Sequence, residues 1–550
     1  MKKLLIALSL LLFLINNCVI IKELIPQKPS PSLHPDNIIP ADKSKSLLDE
    51  DIASEYFFIK GYNEPHTPPN INPTENLKEF LNETQGSINL NRSGIIAYYN
   101  PNTSQNKIKS IIILIPGIYS GGATVTNLAK SIKKRIKGSD VWVWERRANL
   151  LEDRRPIIKA IKENNPQILT NLLEKDKLKL KKDSFYQPST EDISFVGYWG
   201  IDVALEDLLN VVQEAKKRAD EVILCGYSLG VLYATLFLAN DFDPTDKVKA
   251  GYEFVDKVML LDGPPMINAY VKDEKTYKEG ATLIPYNVIE GKDKLESGKY
   301  YPCNVSVTRD MSEMFLVDLR SALALMAPDD MYPYPYNANG KKLPITNLAA
   351  FLTSFDDNYL FFKLFTGTFG RADAKHIGKF NYNSTVKIVG LSEGEDKINW
   401  IPRKKDDKVE FNDYKEYLKA ACEINYNMAE WYQPTRILID IGSINQNDTS
   451  TGWQSKYFNI TQTKNIDRPF LCVGLSRGLS SRMEIYLKYK EKISSKDFTI
   501  LMINSITHLD GDTINDNGGR PLLADVVTHW LNGDEIVYKD SPNIKEAFYK

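Results

Sequence analysis

The 550-residue chain has only five cysteines and five histidines, and no two of them stand at the close spacing of a zinc site. A metal centre is not expected. Charge of one sign is not in excess either: Lys+Arg number 69 and Asp+Glu 71, a formal net charge of -2. No global field therefore recruits nucleic acid or an anionic membrane. Internal repeats are missing as well, which excludes a solenoid or propeller array. Four of the cysteines read as interior residues or leave their state open. Cys225 and Cys472 lie within apolar strand patterns, where a thiol behaves as a small hydrophobe. For Cys303 and Cys422 the sequence decides neither for nor against a disulfide.

What is present suffices for a large core: 43% of the residues are hydrophobic. Aromatics reach 11%, with 29 Tyr and 7 Trp, and Tyr suits clefts and lids because it buries a ring behind a polar tip. At the N-terminus, Lys2 and Lys3 precede an almost continuously apolar run over residues 4–15. That run is short for a membrane span and reads as the apolar segment of a secretory signal. It closes on Leu14-Ile15-Asn16-Asn17-Cys18, which resembles a bacterial lipoprotein lipobox without the usual small residues before the cysteine. The expectation is an exported chain with a signal over residues 1–18, lipid-anchored to a cell-envelope membrane through Cys18; plain secretion or an uncleaved anchor is the alternative. Residues 19–50 carry five prolines at positions 26, 29, 31, 35 and 40 and no periodic apolar pattern, and they read as a flexible tether.

From about residue 85 apolar runs alternate with amphipathic segments, the signal of a parallel sheet flanked by helices. Strands are expected over residues 94–99, 110–115, 140–144, 221–225, 257–261, 469–473 and 498–503. Helices are expected over 122–136, 201–218, 229–238 and 524–531. Between Pro265 and Pro469 lies a Tyr- and Asn-rich stretch with only local helical patterns, and residues 266–464 read as one cap or lid inserted into the core. The core then comprises residues 51–265 and 465–550.

The chemistry is carried by Gly226-Tyr227-Ser228-Leu229-Gly230, set between a strand pattern and an apolar helix pattern. A G-x-S-x-G pentapeptide is common by chance, but this context is the one that projects a serine from a sharp strand-to-helix turn. A hydroxyl is a poor nucleophile at neutral pH and needs a base. His508, just after the late strand, reaches the same sheet edge and is the candidate. His34 falls in the tether, His66 in a Pro-rich loop, His376 in the insertion and His529 on an amphipathic helix. An acid to orient the imidazole is absent from the loop Gly474-Leu475-Ser476-Arg477-Gly478-Leu479-Ser480. Asp262, at the end of the strand after the nucleophile helix, is preferred, with Glu484 or an acid of the insertion as alternatives. Asp before Gly-Pro is also a plain turn former. The tetrahedral oxyanion needs fixed donors: the Leu229 N–H is one, and the loop Pro116-Gly117-Ile118-Tyr119 offers Ile118 first and Tyr119 second.

Two further segments are distinctive. Glu145-Arg146-Arg147-Ala148-Asn149-Leu150-Leu151-Glu152-Asp153 follows a strand. Its arginines suit an anionic substrate group, but an ion-pair network supporting the loop is the preferred reading. Trp199-Gly200-Ile201-Asp202 opens a helix, and an acid there suits the dipole without chemistry.

Taken in order, the Pro-Gly turn, the elbow, Asp-Gly and His-Leu-Asp resemble the α/β-hydrolase superfamily over residues 94–265 and 465–533. More narrowly, they are similar to bacterial α/β hydrolases that share the two distinctive segments. The resemblance implies a mostly parallel sheet of about eight strands with helices on both faces. It also implies hydrolysis of an ester-type bond through an acyl-enzyme, with no metal or organic cofactor. Pro116 in place of a histidine, and the missing acid after Val473, depart from the pattern. The expected activity is that of a carboxylesterase- or lipase-like enzyme on a small or lipid-like ester. A serine peptidase, an acyltransferase and a non-catalytic surface-binding lipoprotein are the alternatives.

Overall fold

The computed structural model describes residues 38–40, 46–49, 52–102, 108–173, 185–284, 287–303, 313–333, 336–338, 341–356, 366–373, 397–402, 412–423, 426–513, 521–534 and 544–545. The signal run, Cys18, His34 and His376 lie outside these residues.

The main sheet has 11 strands. They are β1 (Ile38–Pro40), β2 (Ser46–Asp49), β3 (Ile52–Lys60), β4 (Arg92–Tyr99), β5 (Ile108–Ile115), β6 (Ser139–Glu145), β7 (Ala219–Tyr227), β8 (Lys257–Leu261), β9 (Phe470–Arg477), β10 (Phe498–Thr507) and β11 (Ile544–Lys545). Their order across the sheet is β1-β3-β4-β6-β5-β7-β8-β9-β10-β11, with β2 also on β3. From β6 to β10 all neighbours are parallel, whereas β3, β4 and β11 pair antiparallel. Eight central strands, mostly parallel, with one swap of sequence order at β6-β5, give the α/β-hydrolase fold.

The strands form where β-branched runs allow burial on both faces. In β5, Ile111, Ile113 and Ile115 join the apolar cluster on one face, and Ile112 and Leu114 join the cluster on the other. This is the two-residue alternation of a pleated strand. Helix α1 (Thr126–Arg135) covers the Ile112 face, while α2 (Ile201–Arg218) and α3 (Leu229–Ala239) pack on the Ile111 face. Every residue of α3 is buried, so its sequence is apolar all round. A last helix, α5 (Leu522–Asn532), returns to α1.

Two expectations need correction. The stretch 19–50 is not tether throughout, because β1 and β2 pair with β3. Short edge strands bond through their backbone and need no periodic apolar side chains, so the pattern gave no sign of them. The stretch 266–464 is more than a layer laid over the core. Its helix α4 (Thr435–Ser443) is buried along its whole length and places Ile437, Leu438, Ile439 and Ile441 in the Ile111-side cluster. Phe315, Leu319 and Phe351 of the same stretch enter the opposite cluster. Cys225, Cys303, Cys422 and Cys472 are all buried free thiols. Among the described residues, no helix is long and apolar enough to cross a membrane.

Candidate active site

Strand β7 turns into α3 through a single residue, Ser228, at φ 60 and ψ -125. A non-glycine residue there is strained by roughly 1–3 kcal/mol and persists only where its surroundings fix it. They do so closely. A Cβ on Gly226 would lie 2.3 Å from the Gly230 carbonyl oxygen, and one on Gly230 would lie 2.1 Å from that of Ile115. Strand and helix pass at a separation that only glycine permits. The Ser228 N–H donates to the Leu261 carbonyl at 3.0 Å, tying the elbow to the end of β8.

One residue past β8, Asp262 has φ 44, and its N–H donates to the Val473 carbonyl at 2.8 Å. Its carboxylate is fully buried, and Oδ2 lies 2.7 Å from His508 Nδ1. Three backbone donors complete its shell: Leu475 at 3.2 Å, Leu479 at 3.1 Å and Ser480 at 2.9 Å. Leu475 lies near the end of the penultimate strand and Leu479 and Ser480 in the loop after it, a segment that carries no acid. That segment supplies the cradle, and the neighbouring strand supplies the carboxylate. Parallel pairing of Leu261 with Val473 brings the two together. Glu484, the alternative acid, opens a separate helix, Glu484–Lys490.

His508 follows β10 and is 3% exposed; Ser228 is 2% exposed. Tyr227 bridges the two, because it precedes Ser228 in the chain while its hydroxyl donates to the His508 carbonyl. Its ring centroid stands 5.1 Å from the imidazole. The histidine loop is held from outside by the insertion. Leu509 N–H donates to the Thr366 carbonyl at 2.9 Å. The buried Asp510 carboxylate accepts from Thr507 N–H at 2.7 Å, Thr507 Oγ1 at 2.8 Å, Thr368 N–H at 2.8 Å, Thr368 Oγ1 at 3.0 Å and Asn412 Nδ2. Of the other histidines, His66 stacks on Tyr198 and His529 Nδ1 binds the Asp525 carbonyl within α5.

Close by, burial pushes the Asp512 carboxyl up to about 7, against an opposing hydrogen bond from Leu128 N–H at 2.7 Å. A raised carboxyl favours the protonated form in the folded state. Its stabilising contribution is complete below the ordinary carboxylate range, near ~4, and is lost as pH rises through about 7. Asp512→Asn keeps the acceptor for Leu128 and should flatten this fall in stability. Thermal melts of both proteins across pH 4–8 check it, and parallel pH profiles would contradict it.

The loop after β5 lies against the serine: a Cβ on Gly117 would meet Ser228 Cβ at 2.9 Å and Oγ at 3.0 Å. Its carbonyls point the other way, into the Arg146 guanidinium, with Pro116 at 3.2 Å, Gly117 at 2.9 Å and Ser120 at 2.8 Å. In a planar trans peptide, C=O and N–H are antiparallel. Binding of the Gly117 carbonyl to Arg146 therefore aims the Ile118 N–H away from Arg146. Neither Ile118 N–H nor Leu229 N–H has a hydrogen-bond partner among the described residues. Tyr119, the second candidate, differs: its N–H donates to Gln433 Oε1 at 2.7 Å.

The charged segment after β6 is structural. Arg146 pairs with Glu430 at 2.7 Å, and Arg147 with Asp207. Glu145 accepts from Gly122 N–H at 3.1 Å and Asn427 N–H at 3.0 Å, and Glu152 from Trp431 N–H at 2.7 Å and Asn427 Nδ2 at 2.8 Å. The segment thus fastens the insertion, at residues 427–431, to the edge of the sheet. Sequence reasoning missed these partners because they lie some 280 residues away with no local signal. A cavity of about 20 Å³ lined by Arg146, Arg147, Asp207 and Glu430 has room for one water. Ser228, His508 and Asp262 do not line it.

No protein-family model and no curated protein matches the sequence. Among solved structures the chain is similar to a protein of Sulfolobus solfataricus assigned provisionally to the lipases, at 14% identity and a TM-score of 0.45, covering 90% of this chain and 98% of that one. It is also similar to a soluble variant of monoglyceride lipase from Saccharomyces cerevisiae (10%, TM-score 0.31, 92% and 99% covered). A third is the monoacylglycerol lipase of Paleococcus ferrophilus (10%, TM-score 0.31, 77% and 94% covered).

Proposed function

We propose that this chain is a serine hydrolase that cleaves a carboxylic ester through an acyl-enzyme. The reading is carried by one observation: the buried His508–Asp262 pair, 2.7 Å apart, lies at the same sheet edge as a serine held at φ 60. In the proposed reaction Ser228 Oγ attacks the acyl carbon as its proton passes to His508 Nε2. Asp262 holds Nδ1–H and stabilises the imidazolium. The Leu229 and Ile118 N–H groups receive the oxyanion. Collapse expels the alcohol, which takes the proton from His508. Water, deprotonated by the same imidazole, then attacks the acyl-serine, and the acid leaves as His508 returns the proton to Ser228 Oγ.

A p-nitrophenyl ester of a short acid tests this directly. A burst of p-nitrophenol should accompany an acyl adduct on the peptide that contains Ser228. Cleavage of peptides but not esters would move the assignment to a peptidase, and ester formation with added alcohol to an acyltransferase. No turnover of any of them would favour a binding protein that kept the fold. The cellular proposal is separate: the chain is exported and lipid-anchored through Cys18. Globomycin should then cause a precursor of higher mass to accumulate, an effect abolished by Cys18→Ser. An unchanged size would contradict the anchor.

A further inference from the structure

The insertion reaches the oxyanion loop through Gln433, which is 1% exposed. Its carboxamide oxygen accepts from Tyr119 N–H at 2.7 Å. That bond fixes the orientation of the amide, because an N–H can bond only to the oxygen. The other half, Nε2, is buried and has no hydrogen-bond partner among the described residues. An unmatched buried donor is destabilising and calls for an explanation. Its surroundings suggest one. The stretch before Gln433 meets the oxyanion loop at an isolated bridge, Ala429 with Ser120, and Glu430 N–H donates to the Tyr119 carbonyl at 2.9 Å. Gly117, two residues before Tyr119, abuts Ser228 Oγ.

We propose that Gln433 Nε2 donates a hydrogen bond to the carbonyl oxygen of the bound acyl group, a third donor beside the two backbone amides and one supplied by the insertion. The substrate class is thereby an acyl compound whose oxygen replaces the partner that Nε2 lacks. Gln433 also holds Tyr119, so its two ends couple loop geometry to substrate contact. This assignment rests on the serine hydrolase reading.

Two variants of the full chain separate the roles. Gln433→Glu keeps an oxygen for Tyr119 N–H and removes the –NH2 donor; Gln433→Met removes both. Ester hydrolysis and fluorophosphonate labelling of Ser228 are measured together with melting curves. Removing one oxyanion donor costs about 100- to 1,000-fold in kcat. Gln433→Glu is expected to lose about 100-fold in kcat, with KM changed less than about threefold and labelling slowed in parallel. Gln433→Met should lose at least as much. If both variants, folded, stay within about twofold of the parent in kcat and in labelling, Nε2 makes no substrate contact and the proposal is overturned. Failure to label Ser228 in the parent protein would overturn the hydrolase reading and this assignment with it.

Discussion

Asp262→Asn is expected to lower kcat for ester hydrolysis by about ten-thousand-fold while the protein stays folded. The aspartate does two things at once. It accepts Nδ1–H of His508 at 2.7 Å and terminates three backbone N–H groups from residues 475–480. An asparagine has one oxygen and one –NH2 for the same four donors. Backbone donors outnumber the imidazole, so the oxygen is expected to turn to the loop and the –NH2 to His508. The imidazole must then present a bare Nδ1 and carry its proton on Nε2, the atom that should take the proton from Ser228. Steady-state kinetics and a circular dichroism spectrum decide it. A folded Asp262→Asn protein within about tenfold of the parent rate would show that another acid orients the histidine.

The second large effect concerns Arg146. Arg146→Met leaves the Glu430 carboxylate buried and unpaired, and it releases the Pro116, Gly117 and Ser120 carbonyls. Breaking a buried pair by removing one partner costs about 3–5 kcal/mol, whereas replacing both by apolar groups is often near neutral. The double variant Arg146→Met, Glu430→Met should therefore regain most of the lost melting temperature. Activity should not return with stability, because nothing then turns the Gly117 carbonyl and aims the Ile118 N–H. A loss of about 10- to 100-fold in kcat is expected in the double variant, read against its melting curve. Full activity in a folded double variant would show that the loop holds its shape without the arginine.

How much of this the residues announced depends on distance along the chain. The elbow was legible because strand, pentapeptide and apolar helix are contiguous, and the helix Ile201–Arg218 falls on its expected bounds. The juxtaposition of Asp262 with His508 followed from reading both as ends of parallel strands, although 246 positions separate them. What stayed hidden was recognition between remote surfaces. Neither the clamp of Arg146 on Glu430 nor the bond from the Tyr119 N–H to the Gln433 side chain leaves a pattern in sequence, since each joins partners 284 and 314 positions apart through a single side-chain contact. Preference for Ile118 over Tyr119 was a matter of analogy in the sequence. In the structure the Tyr119 N–H is engaged by Gln433 Oε1, while the Ile118 N–H is not engaged among the described residues. The strands at 38–40 and 46–49 escaped for the opposite reason: backbone pairing at a sheet edge asks almost nothing of side chains.

Hydrolysis by this chain requires that a base activate the alcohol of residue 228. Incubating the folded full chain with a fluorophosphonate and mapping the adduct by mass spectrometry measures this. Phosphonylation of Ser228, abolished in His508→Ala, is the result expected here. Folded protein that leaves Ser228 unmodified, or that reacts equally well without the histidine, would contradict it.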